Sequence, residues 1–294
     1  MEPPKTDIPG QELVAPAFAA PEPTAESAPQ AEVMATEAPR PVVPPAPPAI
    51  ELRGLTKIYG DKAAVDGLSL TVPSGCFFGF LGPNGAGKTT TIKMLMGLAP
   101  PTVGSVRILG RVMPAQSLAI RQLIGVVPDD TLLFDQLTGL EFVEFTGRMY
   151  GLSRQVALER AKELLALFEL DSAPRKLIAE YSKGMRKRTA MAASLIHRPQ
   201  LFLMDEPFEG VDAVGARLMK DILLEQVRHG ATIFLTSHVL EVVERLCDRV
   251  AIINDGRIVA DGTVNELRSG AETLEDLFVR LVGGGRSAES LDWL

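Results

Sequence analysis

The 294-residue sequence has little cysteine, no long apolar run and no excess of positive charge. Cys76 and Cys247 are its only thiols, and their separation is not a metal-ligand spacing. That excludes a thiolate metal centre and a disulfide scaffold, and it suits a reducing cytosol. No apolar stretch reaches the ~18 residues a membrane-crossing helix needs. The start Met1-Glu2-Pro3-Pro4 lacks the basic and apolar regions of a signal peptide, so a chain working at a membrane is expected to be held there by something else. The formal net charge is -7, which argues against nucleic acid as the main partner. The single tryptophan, Trp293, falls in a terminal stretch, 283–294, that reads as a flexible tail without a functional assignment.

What is present begins with a composition boundary. Residues 1–48 are rich in Pro, Ala and Glu, contain one aromatic, Phe18, and finish on Pro41-Val42-Val43-Pro44-Pro45-Ala46-Pro47-Pro48. Proline at this density removes backbone donors, and the apolar surface is too small to offset the entropy of ordering. The segment is expected to be disordered and partly polyproline II, either a solvated leader or a docking arm for a partner.

From Ile50 the texture is that of a folded domain. Ile50 to Tyr59 and Ala64 to Val72 alternate apolar and polar residues, predicting two half-buried strands. The apolar run Cys76 to Leu81 predicts a buried strand, and Thr89 to Leu98 a helix. Between them lies Gly82-Pro83-Asn84-Gly85-Ala86-Gly87-Lys88-Thr89-Thr90, a glycine, four free positions, then Gly-Lys-Thr. Glycines let successive N–H groups curl around a phosphate, and the helix that follows turns its positive end to the anion. In that pattern Lys88 reaches the β and γ phosphates, and the Thr89 hydroxyl holds Mg2+.

Strands are further predicted at Gly104 to Gly110 and Leu123 to Pro128. Helical spacing follows over 138–150, 154–170 and 185–197, a block of helices set into a sheet protein. The sheet resumes with Gln200 to Asp205, a helix through Leu224, the strand Ala231 to Thr236, a helix over 239–246 and the strand Arg249 to Asn254. Asp255-Gly256 before Arg257 to Ala260 signals a hairpin, and a short helix covers Leu274 to Leu281. Strands alternating with helices imply parallel βαβ units, with ligands at the carboxyl ends of the strands. The strand Leu201-Phe202-Leu203-Met204 ends in Asp205-Glu206, one carboxylate suited to a metal shell and the next to an attacking water.

With these elements in order, residues from about Ile50 to Leu281 resemble the ATP-binding cassette family, the nucleotide-binding subunits of membrane transporters. The resemblance implies an α/β fold: a P-loop NTPase core of mostly parallel sheet, an N-terminal antiparallel β-subdomain and an inserted helical subdomain at about 130–198. The cassette domain would span 49–282. Tyr59 looks like the aromatic that stacks on adenine. Tyr181-Ser182-Lys183-Gly184-Met185 stands at the family signature, where Ser182 and Gly184 would touch the ATP held by an opposing subunit, which implies a dimer. Glu206 to Asp212 is similar to the loop that crosses the dimer interface, and His238 to the histidine that contacts the γ phosphate. Lys88, Glu206 and His238 are thus the expected catalytic residues. Gly82 to Thr90, with Tyr59, Ser182, Gly184 and Asp129, would bind ATP, and Thr89, Asp205 and Asp129 the Mg2+.

Three departures stand out. Lys183 and Met185 replace Gly and Gln of the signature, a variant that resembles the bacterial exporter branch. Asp129 replaces a glutamine; its charge is repelled by a triphosphate unless metal or water intervenes, so either mediated contact or none is open. Phe208 and Glu209 occupy positions often small or polar in the interface loop, which bears on subunit communication rather than ATP binding.

Leu132, Leu133, Phe134, Phe142 and Tyr150 fall where the family docks its transmembrane partner, and they read either as a docking patch or as ordinary core. The implied protein is an ATPase peripheral to the cytoplasmic side of a bacterial membrane, driving a separate permease, more an exporter than an importer. A soluble cassette ATPase acting on DNA or ribosomes is the alternative. Those relatives often carry paired cassettes or extra modules, and no second copy of any motif occurs here. An ATP-switched regulatory module is made conceivable by Asp129, while Glu206 and His238 weigh against it.

Overall fold

The computed structural model describes residues 47–130, 133–171, 175–268 and 273–283. The expectations for residues 1–46, Leu132 and Trp293 lie outside the described residues.

The strands are β1 (Ile50–Tyr59), β2 (Lys62–Val72), β3 (Phe77–Leu81), β4 (Val103–Ile108), β5 (Arg111–Val112), β6 (Ile124–Val127), β7 (Leu201–Asp205), β8 (Thr232–Ser237), β9 (Arg249–Asn254) and β10 (Arg257–Thr263). The helices are α1 (Lys88–Leu95), α2 (Ser117–Arg121), α3 (Gly139–Met149), α4 (Arg154–Leu167), α5 (Lys183–Leu195), α6 (Ala213–Arg228), α7 (Leu240–Leu246), α8 (Val264–Leu267) and α9 (Leu274–Val282). β1, β2, β4 and β5 form an antiparallel sheet in the order β2-β1-β4-β5. The second sheet runs β10-β9-β3-β8-β7-β6, parallel except for the antiparallel edge pair β9 and β10. The α/β expectation therefore holds, with its antiparallel subdomain ahead of the parallel core and α3 to α5 between β6 and β7.

β3, β7 and β8 are buried at every position, because both faces of the parallel sheet are covered. Alternation then decides which layer each side chain joins. Phe78, Phe80, Leu201, Leu203, Phe234 and Ile253 pack with the antiparallel sheet and α1, whereas Phe77, Phe202, Met204, Ile233 and Leu235 pack against residues of α3 to α7. Phe234 lies at the centre of the first layer, stacked on Phe78 at 5.8 Å and tilted against Phe80 at 5.4 Å.

The helices of the inserted block and the one after β7 start on side-chain caps. Thr138 and Glu141 form a capping box on α3, and Ser153, Ser182 and Asp212 cap α4, α5 and α6. At the β9–β10 hairpin Asp255 and Gly256 both take positive φ, 46° and 78°, as a two-residue primed turn requires.

The short elements β5, α2 and α8 carry too few residues for periodicity to reveal. The strand expected to reach Gly110 stops at Ile108, because Leu109 and Gly110 turn with φ of 49° and 76°.

The stacked position of Phe234 yields an expected outcome. Phe234→Ala leaves a cavity beside the Phe78 and Phe80 rings and lowers unfolding free energy by about 4 kcal/mol in urea titration; a loss below about 1 kcal/mol would contradict this packing.

Candidate active site

Register in the parallel sheet places four strand ends side by side. Leu81 pairs with Ser237, Thr236 with Asp205, and Met204 with Val127. The segments that follow are the glycine-rich loop after β3, His238 after β8, Glu206 after β7 and Asp129 after β6. All four open into one cleft of about 530 Å3, lined by Pro83, Asn84, Gly85, Gly87, Lys88, Thr89, Thr90, Asp129, Asp205, Glu206, Glu209 and His238.

The loop is held by sterics as well as hydrogen bonds. A Cβ on Gly87 would lie 2.5 Å from the Ala64 carbonyl, at a backbone φ of 109°, and one on Gly82 would collide with the Ile253 carbonyl. Only glycine fits either position. Gly87 caps α1 without a side chain, so the first-turn N–H groups of α1 point at the cleft. The Gly256 N–H donates to the Ala86 carbonyl at 2.9 Å and fastens the loop to the β9–β10 turn. Lys88 is buried, with Nζ donating to the Gly82 carbonyl at 2.6 Å and lying 3.8 Å from Glu206. Burial pushes its pKa down, opposed by the Glu206 and Asp205 carboxylates.

Opposite the loop, the acids are fixed by Thr236. Its Oγ1 donates to Asp205 Oδ1 at 2.5 Å and accepts the Glu206 N–H at 3.2 Å. Glu206 has φ of 45°, a left-handed conformation that costs a non-glycine residue about 1–3 kcal/mol. The turn sends its carboxylate back over the strand end, where Oε1 lies 2.9 Å from His238 Nδ1. Asp205 is 3% exposed, while the His238 side chain is 47% exposed at the mouth. Phosphate donors, two carboxylates and a histidine thus converge, an arrangement able to bind a phosphate chain and orient a water beside it.

Of the residues singled out in the sequence, Gly82 and Ala86 form the back of the loop rather than its lining. Asp129 lines the cleft, with Oδ1 3.5 Å from Lys187 Nζ. Tyr59, Ser182 and Gly184 do not line it. Tyr59 is half exposed at the end of β1, with Lys57 Nζ 5.0 Å above its ring. Ser182 accepts from the Met185 N–H at 3.2 Å as the cap of α5, and Gly184 packs on the Gly210 carbonyl. Two of the departures from the family pattern meet each other: Lys183 Nζ donates to Glu209 at 2.8 Å, which holds the Glu209 carboxyl below its usual range.

Sequence reasoning passed over Thr236 and Lys187. Thr236 reads as the polar end of an apolar strand, and Lys187 as the middle of the basic run Arg186-Lys187-Arg188 on a serine-capped helix. A signal for Lys187 was available, since Gly184, Lys187, Ala190, Met191 and Ser194 share one helical face that is buried throughout.

Residues 65–209 match the family described as ABC transporter. Over 221 residues the chain is 42% identical to the daunorubicin/doxorubicin resistance ATP-binding protein DrrA of Streptomyces peucetius, covering 75% of this chain and 67% of that protein. The chain belongs to the ABC transporter ATP-binding family. As an ABC ATPase it is also 40% identical over 218 residues to the Nod factor export ATP-binding protein I of Burkholderia lata, covering 74% of this chain and 72% of the relative. The linearmycin resistance ATP-binding protein LnrL of Bacillus subtilis is 38% identical over 232 residues, 78% of this chain and 75% of that one. Among solved structures, an ATP-binding subunit of an ABC transporter superposes with a TM-score of 0.75 at 30% identity, over 79% of this chain and 99% of its own. A dimeric post-hydrolysis state of the cassette MJ0796 bound to ADP and Pi gives 0.68 at 26% identity, over 73% and 98%. The chain is accordingly an ATP-binding subunit of this family.

The double role of Thr236 is testable. Thr236→Val keeps the shape but leaves Asp205 and the Glu206 N–H without their partner, and is expected to cost about 2 kcal/mol in urea unfolding, with Thr236→Ser restoring most of it. Equal stability of the Val and Ser variants would show that these bonds contribute nothing.

Proposed function

We propose that the chain is the ATP-hydrolysing subunit of an exporter, working as one of two cassettes that close around two ATP-Mg2+ and drive a separate permease. The observation that carries this reading is the convergence of the glycine-rich loop, Lys88, Asp205, Glu206 and His238 on one cleft. The relatives, drug-resistance and export ATP-binding proteins, favour export over import.

Each chain residue then has a task. The loop N–H groups and Lys88 hold the β and γ phosphates and compensate their charge. Glu206 accepts a hydrogen bond from the attacking water, drawing off its proton as the water oxygen bonds to the γ phosphorus and the bond from that phosphorus to the β–γ bridging oxygen breaks, with ADP as the leaving group. His238, in contact with the Glu206 carboxylate, steadies that carboxylate and the γ phosphate together. Tyr59, exposed beyond the rim, offers a face for adenine.

The donor set suits Mg2+. Asp205 and Thr89 present hard oxygens to one cleft with Asp129 beside them, and among the described residues there is no group of three or more His, Cys, Asp or Glu able to hold a metal. Mg2+ takes one or two protein carboxylates and completes its shell with phosphates and water. When bound, it neutralises charge on the β and γ phosphates. We assign Thr89 and Asp205 to its shell and Asp129 to contact through water.

Ser182 and Gly184 stand outside their own chain's cleft, at the N-terminus of α5, a placement that supports their serving the ATP of a second cassette. For the permease, the surface around α3 offers an apolar patch. Phe134 is 52% exposed and packs edge-on to Phe142 at 5.8 Å, with Phe145 and Met149 exposed nearby on α3. Leu133 and Phe142 line a small hollow beside it, where a cytoplasmic helix of the permease would seat. Among the described residues no helix is long and apolar enough to cross a membrane, so the pathway is assigned to the permease.

Glu206→Gln tests the chemistry: ATP binding is expected to persist, turnover to fall by about a hundredfold or more, and an ATP-bound dimer to accumulate on size-exclusion chromatography. Undiminished turnover would remove Glu206 from the mechanism. Capture of the tagged variant from its native membranes with ATP-Mg2+ is expected to bring down a stoichiometric polytopic protein; ribosomes or DNA-bound proteins alone would overturn the exporter reading. Exchanging Leu133 and Phe134 for charged residues is expected to abolish that capture in a folded protein, and its survival would place docking elsewhere.

A further inference from the structure

Lys187 is 1% exposed, yet it is charged and carries no assigned task. Its ammonium has three protons and three backbone acceptors: the carbonyls of Pro128 at 3.2 Å, Asp129 at 2.7 Å and Glu206 at 3.2 Å. The Asp129 carboxylate lies 3.5 Å away. Burial pushes the Lys187 pKa down, with Asp129 opposing the shift. An apolar side chain in this place would avoid the desolvation of an ion, so stability alone is a poor reason for a lysine here. What the lysine touches is informative. Two acceptors follow β6 and the third follows β7, the two strand ends that deliver Asp129 and Glu206 to the ATP cleft.

Glu206 is held from both sides. Its N–H is taken by Thr236, and its carbonyl accepts from Lys187 and from the Glu209 N–H at 3.2 Å. With its amide and carbonyl both tied, the left-handed backbone at φ 45° has little freedom, and the side chain stays between Lys88 and His238. The same ammonium anchors α5, which Ser182 caps and whose first turn carries Gly184. One buried charge therefore ties together the segment bearing Glu206, the segment bearing Asp129 and the helix that faces a second cassette.

We infer that Lys187 is a positioning residue for ATP hydrolysis, fixing the backbone that aims Glu206 and Asp129 into the cleft. It does not line the cleft and acts through those two residues. The inference rests on the reading of Glu206 as the group that orients the attacking water.

The test compares the full-length wild type, Lys187→Met, Lys187→Gln and Glu206→Gln in steady-state ATP hydrolysis and in equilibrium binding of ATP. Methionine fills the space without donors, whereas glutamine supplies two of the three. Lys187→Met is expected to lower kcat by tenfold to about a hundredfold, since a misplaced catalytic group costs that order. Its KM and ATP affinity should stay within about twofold of wild type, because the phosphate loop is untouched. Lys187→Gln should recover part of the lost kcat. Wild-type kcat in both Lys187 variants beside an inactive Glu206→Gln would overturn the positioning role alone. Full activity in Glu206→Gln would overturn the reading beneath it as well. Parallel loss of ATP affinity and kcat with glutamine no better than methionine, or failure of both variants to fold, would make Lys187 a structural residue and overturn the inference.

Discussion

The site depends on one constraint, the parallel register of β3, β8, β7 and β6. Their carboxyl ends finish level, so whatever each strand carries next is delivered to the same edge of the sheet. Leu81 hands over to the glycine-rich loop, Ser237 to His238, Asp205 to Glu206 and Val127 to Pro128-Asp129. Register is in turn enforced by burial on both faces. A slip of one residue would exchange Phe78, Phe80 and Phe234, which face the antiparallel sheet, for Phe77, Ile233 and Leu235, which face the helices.

Charge at this edge is managed in pairs. Lys88 and Lys187 are both buried, and both have their pKa lowered by that burial, yet each is surrounded by acceptors at a strand end. The carboxylates of Glu206 and Asp129 stand opposite them at 3.8 and 3.5 Å. Because both lysines are buried, these pairs interact more strongly than in bulk solvent, and their fixed positions spare reorganisation when charge moves. Thr236 completes the arrangement by joining the backbone of Glu206 to the side chain of Asp205 with one hydroxyl.

The helical block adds reach to this edge. α5 packs its buried face under the strand ends while its capped N-terminus stays open, and Lys187 joins the two. The ion pair of Lys183 with Glu209 links that same N-terminus to the loop after β7, so the two departures from the family pattern are complementary in charge. On the far side of the block, Phe134, Phe145 and Met149 leave apolar surface exposed, where a single globular chain has no reason to place it.

The sequence by itself determined the elements whose chemistry is local. Gly82 to Thr90 between an apolar run and a helical run, Asp205-Glu206 at the end of another, and Asp255-Gly256 at a hairpin are each legible because the required backbone conformations leave few residue types to choose from. Boundaries of short elements such as β5 and α8 were not legible, since a few residues carry no period. Only the tertiary structure decided what long-range geometry decides. It set the order β10-β9-β3-β8-β7-β6, the left-handed turn at Glu206, the separation of Ser182 and Gly184 from their own chain's cleft, and the burial of Lys187. A lysine in a basic run reads as solvated until the fold closes three carbonyls around it, and those carbonyls come from residues 19 and 58–59 positions away in the chain.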